Sequence, residues 1–193
     1  QLLTSRDGDA WMRAPATESV VPLGEIGDWD RFQIMLTGAP PVPVGDKLHI
    51  YYRGTSRRHN KVVGEFEPKI DQDQDRDWMA IGLATLRLDG FASIDTSYDG
   101  GTITTIPFEL GKDELHVNAK CDFGRVAAEL LDEGYQPIPG YAVDDCIAVS
   151  ADSTDQIIRW RGEKSDRPLS AIATPVRIRF HMANSRLYSY WLQ

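Results

Sequence analysis

The run Val176-Arg177-Ile178-Arg179-Phe180-His181-Met182 alternates apolar and basic residues without a break, and Leu187-Tyr188-Ser189-Tyr190-Trp191 follows closely behind it. Successive strand side chains point to opposite faces, so Val176, Ile178, Phe180 and Met182 belong to a core side and Arg177, Arg179 and His181 to the other. Ile158-Arg159-Trp160-Arg161 repeats the pattern. Up to five basic side chains, Arg159, Arg161, Arg177, Arg179 and His181, are therefore expected to share one sheet surface. In a chain of net charge −8 such a concentration marks either a binding face or a buried interface.

The rest of the chain reads as antiparallel all-β. Turn signals recur at Asp7-Gly8, Gly45-Asp46, Asp89-Gly90, Asp99-Gly100-Gly101, Asp132-Glu133-Gly134 and Pro139-Gly140. Between them lie short β-branched and aromatic segments such as Leu48-His49-Ile50-Tyr51-Tyr52, Thr102-Ile103-Thr104-Thr105-Ile106 and Gln156-Ile157-Ile158-Arg159-Trp160. Arg125 to Leu131, the one helix-like stretch, alternates Val126, Ala128 and Leu130 with Ala127, Glu129 and Leu131, and is read as a strand.

Several function classes are disfavoured. Phosphate binding draws on clustered positive charge, which an acidic chain with pI near 5.0 must segregate locally, so nucleic acid is not the expected partner. Apolar stretches are strand-length, far short of the roughly 20 residues of a membrane helix. Cys121 and Cys146 match no zinc spacing and are either two buried small hydrophobes or a disulfide. His49, His59, His116 and His181 show no paired metal spacing, and neither a Gly-flanked nucleophile turn nor a phosphate loop occurs. No metal or cofactor is expected beyond a structural calcium. Asp71, Asp73, Asp75 and Asp77 alternate like calcium ligands but lack the EF-hand Gly and distal Glu, so a solvated loop is preferred. Asp95, Asp99, Asp144, Asp145, Asp152 and Asp155 are a second set of acids that sequence alone does not bring together.

Composition changes near residue 100, from long polar connections to closely spaced strands, so two domains are expected, residues 1–100 and 101–193. Leu2-Leu3-Thr4-Ser5-Arg6-Asp7-Gly8 loosely repeats as Ala84-Thr85-Leu86-Arg87-Leu88-Asp89-Gly90, each followed by an aromatic residue, Trp11 or Phe91. Ser5-Arg6-Asp7-Gly8-Asp9-Ala10-Trp11 resembles the strand-turn-strand element of five-bladed β-propellers of the invertase-like and arabinanase-like glycoside hydrolases. Gly27-Asp28-Trp29-Asp30, Thr37-Gly38-Ala39-Pro40 and Lys47-Leu48-His49-Ile50-Tyr51-Tyr52-Arg53-Gly54 resemble the opening strands of a following blade, and Ile81 to Phe91 its third strand and turn. Leu115 to Ala119, Pro137 to Tyr141, Asp144 to Cys146, Arg159 to Gly162, Val176 to Phe180 and Leu187 to Tyr190 resemble the C-terminal β-sandwich that accompanies such propellers in many bacterial hydrolase-like proteins.

The resemblance implies an all-β chain: a partial propeller over 1–100, the end of one blade plus the next, joined to a jelly-roll-like sandwich over 101–193. With no initiating Met, the chain reads as a processed or excised piece. It also implies an extracellular or periplasmic setting, and an oligo- or polysaccharide partner rather than nucleic acid or membrane. Early blades carry the family's catalytic carboxylates, so none is carried over. Glu25, Asp28 and Asp30 are the best local candidates for the pair that glycoside hydrolysis requires. Solvated or turn-forming acids are the competing reading.

Trp160, Tyr188, Tyr190 and Trp191 are placed to stack on sugar rings, or, for the two tryptophans, to fill the sandwich core. Arginine grips carboxylate and sulfate by forked hydrogen bonds, so Arg159, Arg161, Arg177 and Arg179 with His181, Tyr188 and Tyr190 form the expected substrate-binding set, unless the arginines pair with Glu129, Asp132 or acids of the propeller blade across an interdomain contact. The leading expectation is a carbohydrate-binding or accessory segment acting on anionic polysaccharide. A compact glycoside hydrolase using Asp28 and Asp30, and a structural assembly domain forming a homo-oligomer or capped by missing blades, are the alternatives.

Overall fold

A computed structural model describes residues 2–14, 19–56, 79–162 and 167–193. The acidic run from Asp71 to Asp77, and with it the first calcium expectation, lies outside the described residues. Every described strand pairing is antiparallel. Among the described residues no helix is long and apolar enough to cross a membrane. The chain divides into two units, Gln1–Phe91 and Ala92–Gln193.

The first unit opens with a hairpin of β1 (Leu3–Thr4) and β2 (Met12–Arg13). The Asp7 carboxylate shapes the intervening turn, accepting the Asp9 and Ala10 N–H groups, each at 2.9 Å, and the Ser5 hydroxyl at 3.0 Å. These bonds, Ala10 foremost, hold the Asp7 carboxyl below its ordinary pKa.

Four further strands follow: β3 (Gln33–Leu36), β4 (Val42–Val44), β5 (Lys47–Thr55) and β6 (Met79–Arg87). β5 is central. β3 and β4 share one of its edges, pairing with its C-terminal and N-terminal halves respectively, while β6 runs along the whole of the other. Alternation sends Leu48, Ile50 and Tyr52 to a buried side and leaves Tyr51, with its cross-strand partner Leu83, exposed on the other. The two copies of the sequence repeat differ in structure. The first enters the hairpin with Gly8 at φ 83°, whereas the second ends β6 with Asp89 at φ 55°.

The second unit contains β7 (Ile94–Thr96), β8 (Gly101–Thr104), β9 (Leu115–Lys120), β10 (Arg125–Leu131), β11 (Cys146–Ile147), β12 (Ser153–Trp160), β13 (Arg177–Ala183) and β14 (Ser185–Leu192). They form a five-stranded sheet, β11-β12-β9-β14-β7, and a three-stranded sheet, β10-β13-β8. The pairing of β7 with β14 draws residues ahead of the compositional change near residue 100 into this unit. Between the sheets lies one core in which Leu115, Val117 and Ile158 meet Val126, Leu130, Ile178 and Phe180. Complete burial of each large side chain contributes about 1.5–3 kcal/mol, so these interior faces hold the sandwich together.

β10 lies at the edge of its sheet, and other groups complete its hydrogen bonding. Val126 exchanges backbone bonds with Val149 at 2.9 and 2.8 Å, and Leu130 bonds to the backbone of Tyr141 and Ile138. Between them, the Ala128 N–H donates to Cys146 Sγ at 3.3 Å, and Trp160 Nε1 donates to the Ala128 carbonyl at 2.9 Å. Trp160 thereby ties the two sheets together by a polar bond as well as by packing. An exposed strand edge would otherwise invite pairing with another chain.

Candidate functional site

Strand β13 alternates as its sequence requires. Ile178, Phe180 and Met182 are buried in the core, and Arg177, Arg179 and His181 project from the opposite face of the three-stranded sheet. Register brings Glu129 of β10 directly beside Arg179, and Thr104 of β8 to its other side. Glu129 is only 4% exposed, and one of its oxygens receives both Arg179 Nη1 at 3.1 Å and His181 Nε2 at 2.9 Å. Arg179 Nε also donates to Thr104 Oγ1 at 3.1 Å. Arg177 donates to the Thr105 carbonyl at 3.1 Å and stacks its guanidinium 4.4 Å from the centre of the half-exposed Tyr135 ring. Its buried Nε has no hydrogen-bond partner among the described residues. The pairing with Glu129 weighed from sequence is thus present, and it neutralises one of the two arginine charges on this face.

Arg159 and Arg161 do not join that face. Arg159 lies on β12, in the five-stranded sheet, and Arg161 just beyond its end, so the single surface expected from the repeated pattern is corrected to two separate ones. Strand periodicity says which way a side chain points from its own strand but not which sheet receives that strand. Arg159 reaches Glu114 at 3.7 Å. Arg161 is exposed, and its backbone N–H donates to the Asp145 carbonyl.

The aromatic candidates divide as well. Trp160 fills the core and meets Tyr141 edge-on at 5.4 Å. A register shift between Leu187 and Ser189 resets the alternation of β14. Tyr190 consequently packs against Phe180, with ring centres 5.3 Å apart, while Trp191 turns to the outer face and stacks on His116 at 5.2 Å. Tyr188 is half-buried and hydrogen-bonds Arg186.

That stack belongs to a cluster the sequence reading did not single out. His116 Nδ1 is 2.6 Å from Asp155 Oδ1, and its Nε2 is 3.7 Å from Glu114 Oε2. The alternation of Leu115, Val117 and Ala119 into the core already places His116 and Asn118 on the outer side. The Asp155 partner comes from a strand 39 residues away and needed the register of β12 on β9.

In the first unit Asp28 and Asp30 lie together but have different environments. Asp28 is exposed and closes a turn, its Oδ2 accepting the Glu25 N–H at 2.7 Å. Asp30 is 9% exposed and accepts the Tyr52 hydroxyl at 2.7 Å. Burial, reinforced by this carboxylate, pushes the Tyr52 phenol up to about 12. A methyl group placed on Gly24 would lie 2.2 Å from Asp30 Oδ1 and 3.0 Å from Asp28 Oδ2, so the two carboxylate oxygens are separated by no more than the sum of these distances.

Both cysteines are free thiols. Among the described residues no three His, Cys, Asp or Glu side chains gather closely enough to hold a metal ion. Asp95 pairs with Arg186 and Asp155 with His116. No protein family, curated protein or solved structure matches this chain.

Proposed function

We propose that the chain is a carbohydrate-binding or accessory segment of a glycoside-hydrolase-like protein, with anionic polysaccharide as its ligand. The observation that carries the reading is the row Arg177, Arg179, His181 and Glu129 beside the Tyr135 ring on one sheet exterior. Sugar hydroxyls accept as well as donate, so a surface offering guanidinium donors held by a buried carboxylate, beside an aromatic face, suits them. Two arginines against one glutamate leave the row cationic, which favours uronate or sulfate groups over neutral sugars.

A glycan array with neutral and anionic polysaccharides at low and high salt, read alongside reducing-sugar release, tests this. Salt-sensitive retention of anionic glycans without sugar release is expected, weakened in Arg177→Gln and in Arg179→Lys, which keeps the charge opposite Glu129 but loses the fork. Full affinity in both folded variants would rule out the row as the binding surface.

Two observations favour other readings. The adjacency of the Asp28 and Asp30 carboxylates supports a compact glycoside hydrolase, since retaining enzymes hold their pair about 5–5.5 Å apart. Sugar release abolished by Asp30→Asn would establish it. Exposed Tyr51, Leu83 and Ile81, the last 68% accessible, support a structural assembly domain that binds a second copy of the chain. Concentration-dependent sedimentation with neither binding nor turnover would establish that.

A further inference from the structure

A cleft of about 660 Å3 opens in the second unit, within the size range of small-molecule sites. The buried Leu115, Tyr141, Trp160 and Leu169 are apolar and aromatic residues at its wall, much of the rest of the lining is polar, and the exposed Arg159 and Arg167 supply cationic groups with Glu114 beside Arg159. Asp113 also lines it, and its carboxylate is engaged by the Ser170 hydroxyl.

Glu114 is suspended between two partners. Its Oε1 lies 3.7 Å from Arg159 Nη1 and its Oε2 lies 3.7 Å from His116 Nε2. Both separations exceed the roughly 2.7–3.2 Å of a formed hydrogen bond. His116 is only 5% exposed, its Nδ1 is engaged by Asp155, and its Nε2 has no hydrogen-bond partner among the described residues. A buried ring nitrogen without a partner beside a carboxylate that has not closed on it marks an arrangement awaiting a rearrangement.

We infer that this cleft is a second, separate ligand site for a carboxylate-bearing sugar of the hexuronate class. The ligand carboxylate replaces Glu114 on the Arg159 fork, with Arg167 adding a second cation, and the sugar ring rests against the apolar and aromatic residues of the cleft wall. Released from Arg159, Glu114 closes on His116 Nε2, giving that nitrogen the partner it lacks. The class of ligand rests on the glycan-binding reading; the location rests on the cleft and the Glu114 geometry alone.

The test is calorimetric titration of the full chain with glucuronate and galacturonate, with glucose as the neutral control. Uronates are expected to bind and glucose not. Arg159→Gln, at an exposed position, should weaken uronate binding about tenfold or more, and Glu114→Gln should tighten it by removing the competing carboxylate. Absence of uronate binding to the wild type, or its retention in Arg159→Gln, overturns the site. If Arg179→Gln is the variant that abolishes binding, the cleft is overturned while the glycan-binding reading stands. Loss confined to Arg159→Gln, in a chain that retains no polysaccharide on the array, keeps the cleft and removes the other reading.

Discussion

The Tyr52→Phe substitution separates a structural Asp30 from a chemical one. The Tyr52 hydroxyl donates to Asp30 Oδ2 at 2.7 Å, its ring stacks on Trp29 with centres 5.7 Å apart, and Asp30 is nearly inaccessible to water. Removing only the hydroxyl leaves ring packing intact and creates no large cavity, so the cost is that of a hydrogen bond to a charged, buried acceptor, about 2 kcal/mol. This corresponds to about a 30-fold change in a local opening equilibrium. Amide hydrogen exchange on the full chain reads it directly, because opening of the first unit exposes β5 and β6 while β9 and β13 serve as internal controls. Protection of β5 and β6 should fall about 30-fold in Tyr52→Phe, with the controls unchanged, and less in Asp30→Asn, whose side-chain oxygen still accepts the phenol. Protection within twofold of the wild type, or equal losses on β13, would refute the assignment. Sugar release lost in Asp30→Asn while exchange protection is retained would move Asp30 from structure to chemistry.

Three further outcomes are expected. Because the folded chain holds the Tyr52 proton up to about pH 12 against an ordinary value of 10.0, the stability contributed by that group is present below pH 10 and is lost as pH rises toward 12; phenolate absorbance should show a late-titrating tyrosine that vanishes in Tyr52→Phe. Trp160→Phe strands the Ala128 carbonyl and should destabilise the sandwich by at least about 1–3 kcal/mol in urea unfolding, an effect below about 0.5 kcal/mol contradicting the inter-sheet tie. Gly82→Ala places a methyl 2.5 Å from Tyr52 Cζ and should cost about 1–3 kcal/mol of overpacking, measurable as a lowered melting temperature, whereas an unchanged or raised value would show that Tyr52 yields.

Much of the fold was legible because strand alternation is a local signal. Arg125–Leu131 reads as a strand from Val126, Ala128 and Leu130 alone, and β10 has those bounds. The inward and outward faces of β13 follow in the same way. Sheet membership is not local, so the like patterns around Arg159 and Arg177 were read as one surface although their strands join different sheets. Nor is a register shift visible in side-chain chemistry. Tyr190 and Trp191 exchange the faces that uninterrupted alternation from Leu187 would assign them because β14 shifts at Tyr188. Asp28 and Asp30 illustrate the same limit at closer range. Each looks like a loop acid, and only the approach of Tyr52, 22 residues onward, sets the buried one apart.

The edge of β10 is completed in part by side chains, and that makes its closure conditional on covalent chemistry. Cys146 Sγ accepts the Ala128 N–H, and burial raises the thiol pKa, keeping it protonated and slow to react. Once Cys146 is oxidised or alkylated, the added atoms displace it from Ala128, disturb the neighbouring Trp160 indole, and leave the middle rung of the strand open between the Val149 and Tyr141 contacts. The damaged chain then offers a strand edge to its own copies, so the closure of this edge depends on the covalent state of one thiol.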